Sequence, residues 1–441
     1  MGYSGAKGEV VVGVKVLVVH FRVGRTDGVS LEIANWKEIL EREDMEVKLA
    51  GGPYSVEADW VVPHLENQLD AAGFLVDEEA FGGWKNLSED EWVKKFEERQ
   101  GKLEAEFEEM LEKMKPDRLI VSNIWSVGEN LAAAGALARV VEKTGVKTVA
   151  VHHDFWWEND RYEGSSGKRV RDELGKYFPP VFPNLGHCCI NSIARKELAR
   201  RKGVVAEVLY DSLDFEVEPG RKKEECWGLM RAAGVRPGDS VVLQATRIVR
   251  RKNIELAMDV IAGIQKSIKN VVLVISGYAE KRDEEYERQL MKYAKKLGIR
   301  VARVNGVVAK GEEPGACSLM DVYPFADLVT YPSVYEGFGN QFLEAVFTKK
   351  PVVVFEYPVF KEDIAPLGFN VISMGDAVSY DNDGLAKVPE EVLNRVVSEA
   401  GEVLKDKNRC REMTERNFAI GKANFSYKNT LDVWKRVLAA S

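Results

Sequence analysis

Several things are scarce in this chain, and each scarcity removes a class of explanation. No apolar run approaches the ~20 residues that a membrane span needs. The partly apolar start, MGYSGAKGEVVVGVKVLVVHF, is broken up by Lys7, Glu9 and Lys15. It shows no signal-peptide pattern with a cleavage site, and Gly2 lacks the Ser or Thr that myristoylation wants. A cytoplasmic protein without a transmembrane segment is therefore expected. Cysteine is rare: Cys188, Cys189, Cys226, Cys317 and Cys410 are odd in number and scattered. That usage predicts reduced thiols, with Cys188 and Cys189 as core residues of a strand. Histidine is as rare, and no His/Cys cluster stands at metal-ligand spacing, so no metal site is expected. Asp381-Asn-Asp383 looks like the metal-binding D-x-D of some transferases, yet YDNDG reads as a turn. Positive charge does not dominate either. A net charge of −8 argues against nucleic acid as a partner. Low-complexity segments and short repeats are absent.

What is present is a long, core-rich α/β chain. With 441 residues and 45% hydrophobic content, two or three domains are expected. VKVLVVHF (14–21) is a continuous apolar run, the mark of a strand buried on both faces of a parallel sheet. A polar glycine-containing loop and the helically spaced SLEIANWKEILERE follow, and MEVKLAGG completes a β-α-β unit. Strands at DRLIVSNI, VKTVAVHHD and HCCINS alternate with helical stretches. The segment 215–239, EVEPGRKKEECWGLMRAAGVRPGD with its flanks, is charged and turn-rich and reads as an inter-domain link. Beyond it the pattern restarts with SVVLQATRIVRRKN, IELAMDVIAGIQKS, NVVLVISG, DEEYERQLMKYAKKLG and IRVARVNG. Two such arrays imply two doubly wound domains, 1–215 and 216–423.

The most informative stretch is YPSVYEGFGNQFLEAVFTKKPVVV, 331–354. It reads as strand, glycine turn, helix, strand. Gly337 and Gly339 let the backbone turn sharply and approach a ligand. The helix is expected to begin near Asn340, with Phe338 and Gln341 beside it, and such a helix start suits a diphosphate. Glu336 on the turn and Glu344 a little over one helical turn in can face one ligand from different heights. Amides for phosphate and carboxylates for hydroxyls together suit a nucleotide-sugar. Upstream, ATRIVRRK (245–252) follows a strand and places four cations in one loop. A departing diphosphate needs such fixed charge.

These motifs resemble the donor site of family-4 retaining glycosyltransferases of the GT-B fold, which is two Rossmann-like domains facing across a cleft. The resemblance is strongest over 241–358. It implies that Glu336 touches the donor sugar's hydroxyls, that Glu344 binds the ribose, and that Arg247 and Lys252, five apart, hold the diphosphate. Arg250 and Arg251 are expected to face solvent or acidic neighbours. It also implies that the helix 424–441 crosses back onto the first domain.

Further candidates lie in the first half. The loop 24–30, with Arg25 and Gly28, resembles the family's first glycine-rich loop, although no full G-x-G-x-x-G is present; each residue in it serves equally as turn or as ligand contact. In VAVHHDFWWEND, His153-Asp154 fits best the register of the His that the family places near the reacting carbon, with His152 the alternative. Trp156, Trp157 and Tyr162 either stack on a sugar or simply pack. Lys168, Arg169 and Arg171 read as a clamp for an anionic acceptor or as a solvated helix face.

The run YEGFGNQFLEAVFTKKPVVVFEYPVFKEDI is similar to enzymes that build small compatible solutes, such as mannosylglucosylglycerate synthases. That likeness implies a hexose donor of GDP-mannose or UDP-glucose type and a small anionic acceptor such as a glycerate glycoside. It implies no tightly bound cofactor and no required metal. The alternatives are transfer to a polysaccharide or lipid-linked glycan, or a GT-B epimerase or hydrolase acting on the nucleotide-sugar. Oligomeric state stays open.

Overall fold

Neighbouring residues of a strand point to opposite faces. In β1 (Lys15–Val19) both faces are apolar. Val16 and Val18 enter one core with Trp36, Ile39 and Leu40, while Leu17 and Val19 enter another with Trp92, Phe96 and Leu137. A strand covered on both sides belongs inside a parallel sheet, as the run 14–21 predicts.

The computed structural model describes residues 13–25, 27–67, 70–162, 164–304 and 317–440. Thr26 of the first glycine loop, the start of the chain that was read for targeting signals, and the end of IRVARVNG lie outside the described residues. The chain forms two compact units. Met1–Ser212 joins Tyr427–Ser441 in the first, and Leu213–Ser426 forms the second.

The first unit holds β1, β2 (Glu46–Gly51), β3 (Trp60–Val61), β4 (Arg118–Ser122), β5 (Thr148–His152), β6 (Leu185–Cys189) and β7 (Glu207–Val208). Their order is β3-β2-β1-β4-β5-β6-β7, and every pair is parallel. The helix Tyr427–Ala440 packs into this unit. Its buried Trp434 meets Trp36 edge-on at 5.4 Å, and Arg118 donates to Leu438 O at 2.9 Å.

The second unit repeats the plan with β8 (Ser240–Gln244), β9 (Val271–Ile275), β10 (Arg300–Arg303), β11 (Leu328–Tyr331), β12 (Val352–Val354) and β13 (Ile372–Ser373). The order is β10-β9-β8-β11-β12-β13, again parallel throughout. Both sheets are doubly wound. The order reverses between β1 and β4 in one, and between β8 and β11 in the other. Open α/β sheets take ligands outside the carboxyl ends of the strands at such a reversal.

Two expectations need correction. The charged stretch 215–239 is not only a link: Glu224–Ala232 is a helix of the second unit, with Cys226 and Met230 buried. Nor are all thiols reduced, because Cys226 and Cys317 form a disulfide. Folding brings that helix against the segment carrying Cys317. Lys223 pairs with Asp321, Trp227 stacks on Phe325, and the two cysteine Cα atoms come within 5.1 Å. Cys188, Cys189 and Cys410 are free, and the first two are buried at the end of β6 as expected.

No described helix is long and apolar enough to cross a membrane. Among the described residues, no three His, Cys, Asp or Glu gather to hold a metal ion. Asp381 Oδ1 accepts from the amides of Asp383 and Leu385, so YDNDG is a turn.

Candidate active site

The reversal in the second sheet is flanked by two loops, one after β8 (245–253) and one after β11 (332–339). Beneath them the strand ends are bolted together. Thr330 Oγ1 donates to Gln244 Oε1 at 2.7 Å, and Gln244 Nε2 donates to Thr246 Oγ1 at 2.8 Å, all out of solvent. From the other side the chain after β9 presses on the β8 loop. A Cβ at Gly277 would stand 1.8 Å from Thr246 O, and Ile248 N donates to Tyr278 O at 2.8 Å. Only a residue without a side chain permits that approach.

These two loops bring Lys252 and Glu336 together. Lys252 closes the short helical turn Arg250–Lys252 and is 5% exposed; Glu336 is 8% exposed. Lys252 Nζ donates to Glu336 Oε1, and Arg251 Nη1 lies 2.7 Å from Oε2. Burial pushes the Glu336 carboxyl up, but Lys252 and Arg251 together outweigh it and hold it below the ordinary range. Burial also pulls Lys252 down, against the attraction of Glu336. The ammonium lies 5.2 Å over the Tyr331 ring.

Past the turn, Gly339 adopts φ 134°. A Cβ there would stand 2.2 Å from Tyr357 Oη, which donates to Phe338 O at 2.6 Å. The helix Asn340–Phe347 begins where the glycine turn predicts, with no side-chain cap over its first amides. Phe338 is buried against Phe425, Gln341 is half-buried, and the Asn340 Oδ1 atom is buried without a hydrogen-bond partner. Glu344 is half-buried. Burial raises its carboxyl, opposed by Tyr323, whose hydroxyl donates to Oε2 at 2.6 Å, and then by the charge of Lys252. Lys252 thus acts on both signature carboxylates. Arg247 is exposed and pairs with Glu280 at 2.7 Å, close enough to add its charge to the surroundings of Lys252.

The first unit places its candidates at the carboxyl ends of its own strands. His153, just past β5, is held by its amide, which donates to Asn123 Oδ1 at 2.9 Å. The ring stacks on Trp36 at 5.7 Å, and both its nitrogens are buried without a partner. Burial above all, and then His20, lower its pKa to about 3, so the imidazole is neutral at neutral pH. His152, the alternative, is a core residue. It is fully buried between Ser126, 2.6 Å from Nδ1, and His187, 3.0 Å from Nε2. Asp154 is exposed. Trp156 donates to Phe178 O, Trp157 stacks on Phe155 at 4.2 Å, and Tyr162 meets Phe81, so all three are engaged in packing. Gly28 opens the helix Gly28–Glu41, capped by Asp27, and Arg25 donates to Tyr54 O. Lys168, Arg169 and Arg171 lie on the helix Lys168–Tyr177. Arg169 pairs with Glu173 and Glu97 with its guanidinium over Phe96, while Lys168 and Arg171 are exposed.

Reading by sequence passed over three contributors. Arg251 was expected to face solvent or an acidic neighbour, without any sign that the neighbour is Glu336. Tyr323 sits in DVYPFADLVTYP as an ordinary aromatic. Gly277 carried a usable signal, a glycine at a strand end where another backbone comes close.

Residues 229–376 match the family model described as glycosyl transferases group 1. The mannosylglucosylglycerate synthase of Petrotoga mobilis is 34% identical over 440 residues, covering 95% of this chain and 99% of the relative. That of Thermotoga maritima is 37% identical, covering 96% and 99%. Among solved structures, Anabaena HepE in complex with UDP and glucose superposes with a TM-score of 0.60 at 15% identity, covering 97% of this chain and all of that one. At that identity the likeness concerns the fold, which is GT-B.

Proposed function

The chain belongs to the group 1 glycosyltransferases, in the family of the mannosylglucosylglycerate synthases, and from that premise we propose that it moves a hexose from a nucleotide-sugar to a glycerate glycoside with retention at the anomeric carbon. The observation that carries the reading is the convergence of Lys252, Glu336 and Glu344 at the strand-order reversal of the second unit. Arg247 and Lys252 neutralise the diphosphate as it departs, an interaction that strengthens as the bond breaks. Glu336 accepts from hydroxyls of the donor sugar, and Glu344, steadied by Tyr323, from those of the ribose.

The acceptor hydroxyl oxygen attacks the anomeric carbon from the face the diphosphate leaves. The glycosidic C–O bond forms, the bond to phosphate breaks, and the hydroxyl proton passes to the leaving phosphate oxygen. His153 offers a neutral imidazole in the first unit. An acceptor carboxylate would gain charge-assisted hydrogen bonds from basic groups such as Arg25. The sequence relatives make, by their names, mannosylglucosylglycerate, so mannose is the favoured hexose.

The test is incubation with GDP-mannose or UDP-glucose and a glycerate glycoside in excess EDTA, with products followed by NMR. A new glycoside of the donor's anomeric configuration is expected. An inverted product refutes retention, loss of activity in EDTA restores a metal requirement, and hydrolysis or epimerisation without transfer refutes the acceptor.

A further inference from the structure

Arg251 makes three connections to three consecutive residues of the facing turn. Its carbonyl accepts from Val334 N at 3.1 Å, its Nη1 donates to Tyr335 O at 2.7 Å, and the same nitrogen lies 2.7 Å from Glu336 Oε2. Lys252 holds the opposite oxygen, Oε1. A carboxylate gripped by one cation can pivot about that contact. Gripped at both oxygens by groups on a second loop, its plane is set. Each oxygen has a second lone pair, so a carboxylate held this way still accepts hydroxyl hydrogens.

We propose that Arg251 is a positioning residue, fixing the plane of Glu336 and the height of the turn 334–336 and thereby setting which hydroxyl pattern of the transferred sugar is accepted. This rests on the reading of Glu336 as the sugar-hydroxyl acceptor. Lysine is a poor substitute at this position, because a point charge cannot reproduce the planar guanidinium reaching the carbonyl of Tyr335 and the carboxylate together.

The experiment uses the full chain with whichever of GDP-mannose and UDP-glucose supports transfer, together with the corresponding free diphosphate. Arg251→Ala, Arg251→Lys, Glu336→Gln and the double variant Arg251→Ala/Glu336→Gln are compared. Arg251→Ala should lower kcat/KM for the nucleotide-sugar about tenfold or more, and the double variant should be no worse than Glu336→Gln alone, since residues acting as a unit are not additive. Binding of the free diphosphate, read by calorimetry, should stay within about twofold, which also reports an intact fold. Arg251→Lys should recover part of the loss. The groups facing Glu336 are Lys252, Arg251 and Tyr331, so without Arg251 the acid limb of the kcat/KM profile should move to higher pH.

Additive losses, an unmoved acid limb, or diphosphate binding that falls as far as kcat/KM would overturn the positioning role and leave the donor-site reading standing. A silent Glu336→Gln would overturn both.

Discussion

At the scale of single residues, the site is built from polar groups placed where water is excluded, and each leaves a measurable trace. Tyr323 is fully buried and its hydroxyl serves Glu344. Tyr323→Phe keeps the ring and removes the donor. A hydrogen bond to a charged group is worth about 1.5–3 kcal/mol, so the variant should lose roughly that much stability in chemical denaturation, and nucleoside diphosphate should bind more weakly by calorimetry because Glu344 is no longer held in place. The Glu344 carboxyl would also lose an influence that lowers its pKa, so affinity in the variant should fade at a higher pH on acidification than in the parent. The histidines give a second check. Burial lowers His20 to about 4, His187 to about 4, His153 to about 3, and His152 well below its ordinary value. A lowered value means the proton is refused until the solution is acidic. In a proton–carbon NMR titration none of these four rings should titrate between pH 8 and 5, and a midpoint near 6.5 for His153 would contradict its burial.

Elements decide whether those residues meet, and here legibility in the sequence was uneven. The glycine turn and the helix after it were readable to the residue, because Gly337, Gly339 and the apolar strands at each end are local signals. The longer strands of both sheets were readable for the same reason, since parallel strands buried on two faces are written as unbroken apolar runs, whereas the two-residue edge strands β3 and β13 carry no such run and were not read. What stayed hidden was pairing across long separations. Arg251 with Glu336 follows from β8 and β11 being neighbours in the sheet, and Tyr323 with Glu344 and Cys226 with Cys317 follow from tertiary packing, which no local pattern encodes. The helix Glu224–Ala232 was obscured because its charges and flanking prolines resemble a linker. Glycines separate the two cases experimentally. Gly277→Ala would drive a Cβ into the backbone of Thr246 and shift the Arg247–Lys252 loop, so it should cost about 1–3 kcal/mol in chemical denaturation and most of the activity. Gly228 lies inside a helix with nothing near its missing Cβ, so Gly228→Ala should instead stabilise by about 0.5–1 kcal/mol and leave turnover unchanged.

For the whole molecule, the covalent and topological links matter most. The disulfide joins residues 91 apart within the second unit. Closing a loop of that length restricts the unfolded chain by about 4–5 kcal/mol on the entropy model. Reductant should therefore lower the unfolding temperature of wild type but not of a Cys226→Ala/Cys317→Ala variant, and equal behaviour of the two in differential scanning calorimetry would show that the bond contributes nothing. The two units differ in connectivity as well. The second is one uninterrupted stretch, and its ends lie side by side, with Leu213 bridged to Ser426. The first is assembled from two stretches that straddle it. Trp36, Ile39 and Leu40 are made early, yet Trp434, Val437 and Leu438, which share their core, are made only after all of the second unit. During translation the order of completion is therefore the reverse of the order of synthesis. The half begun first has one face of its sheet incompletely covered until residues 427–440 arrive, whereas the half begun second has its whole core in hand by residue 426.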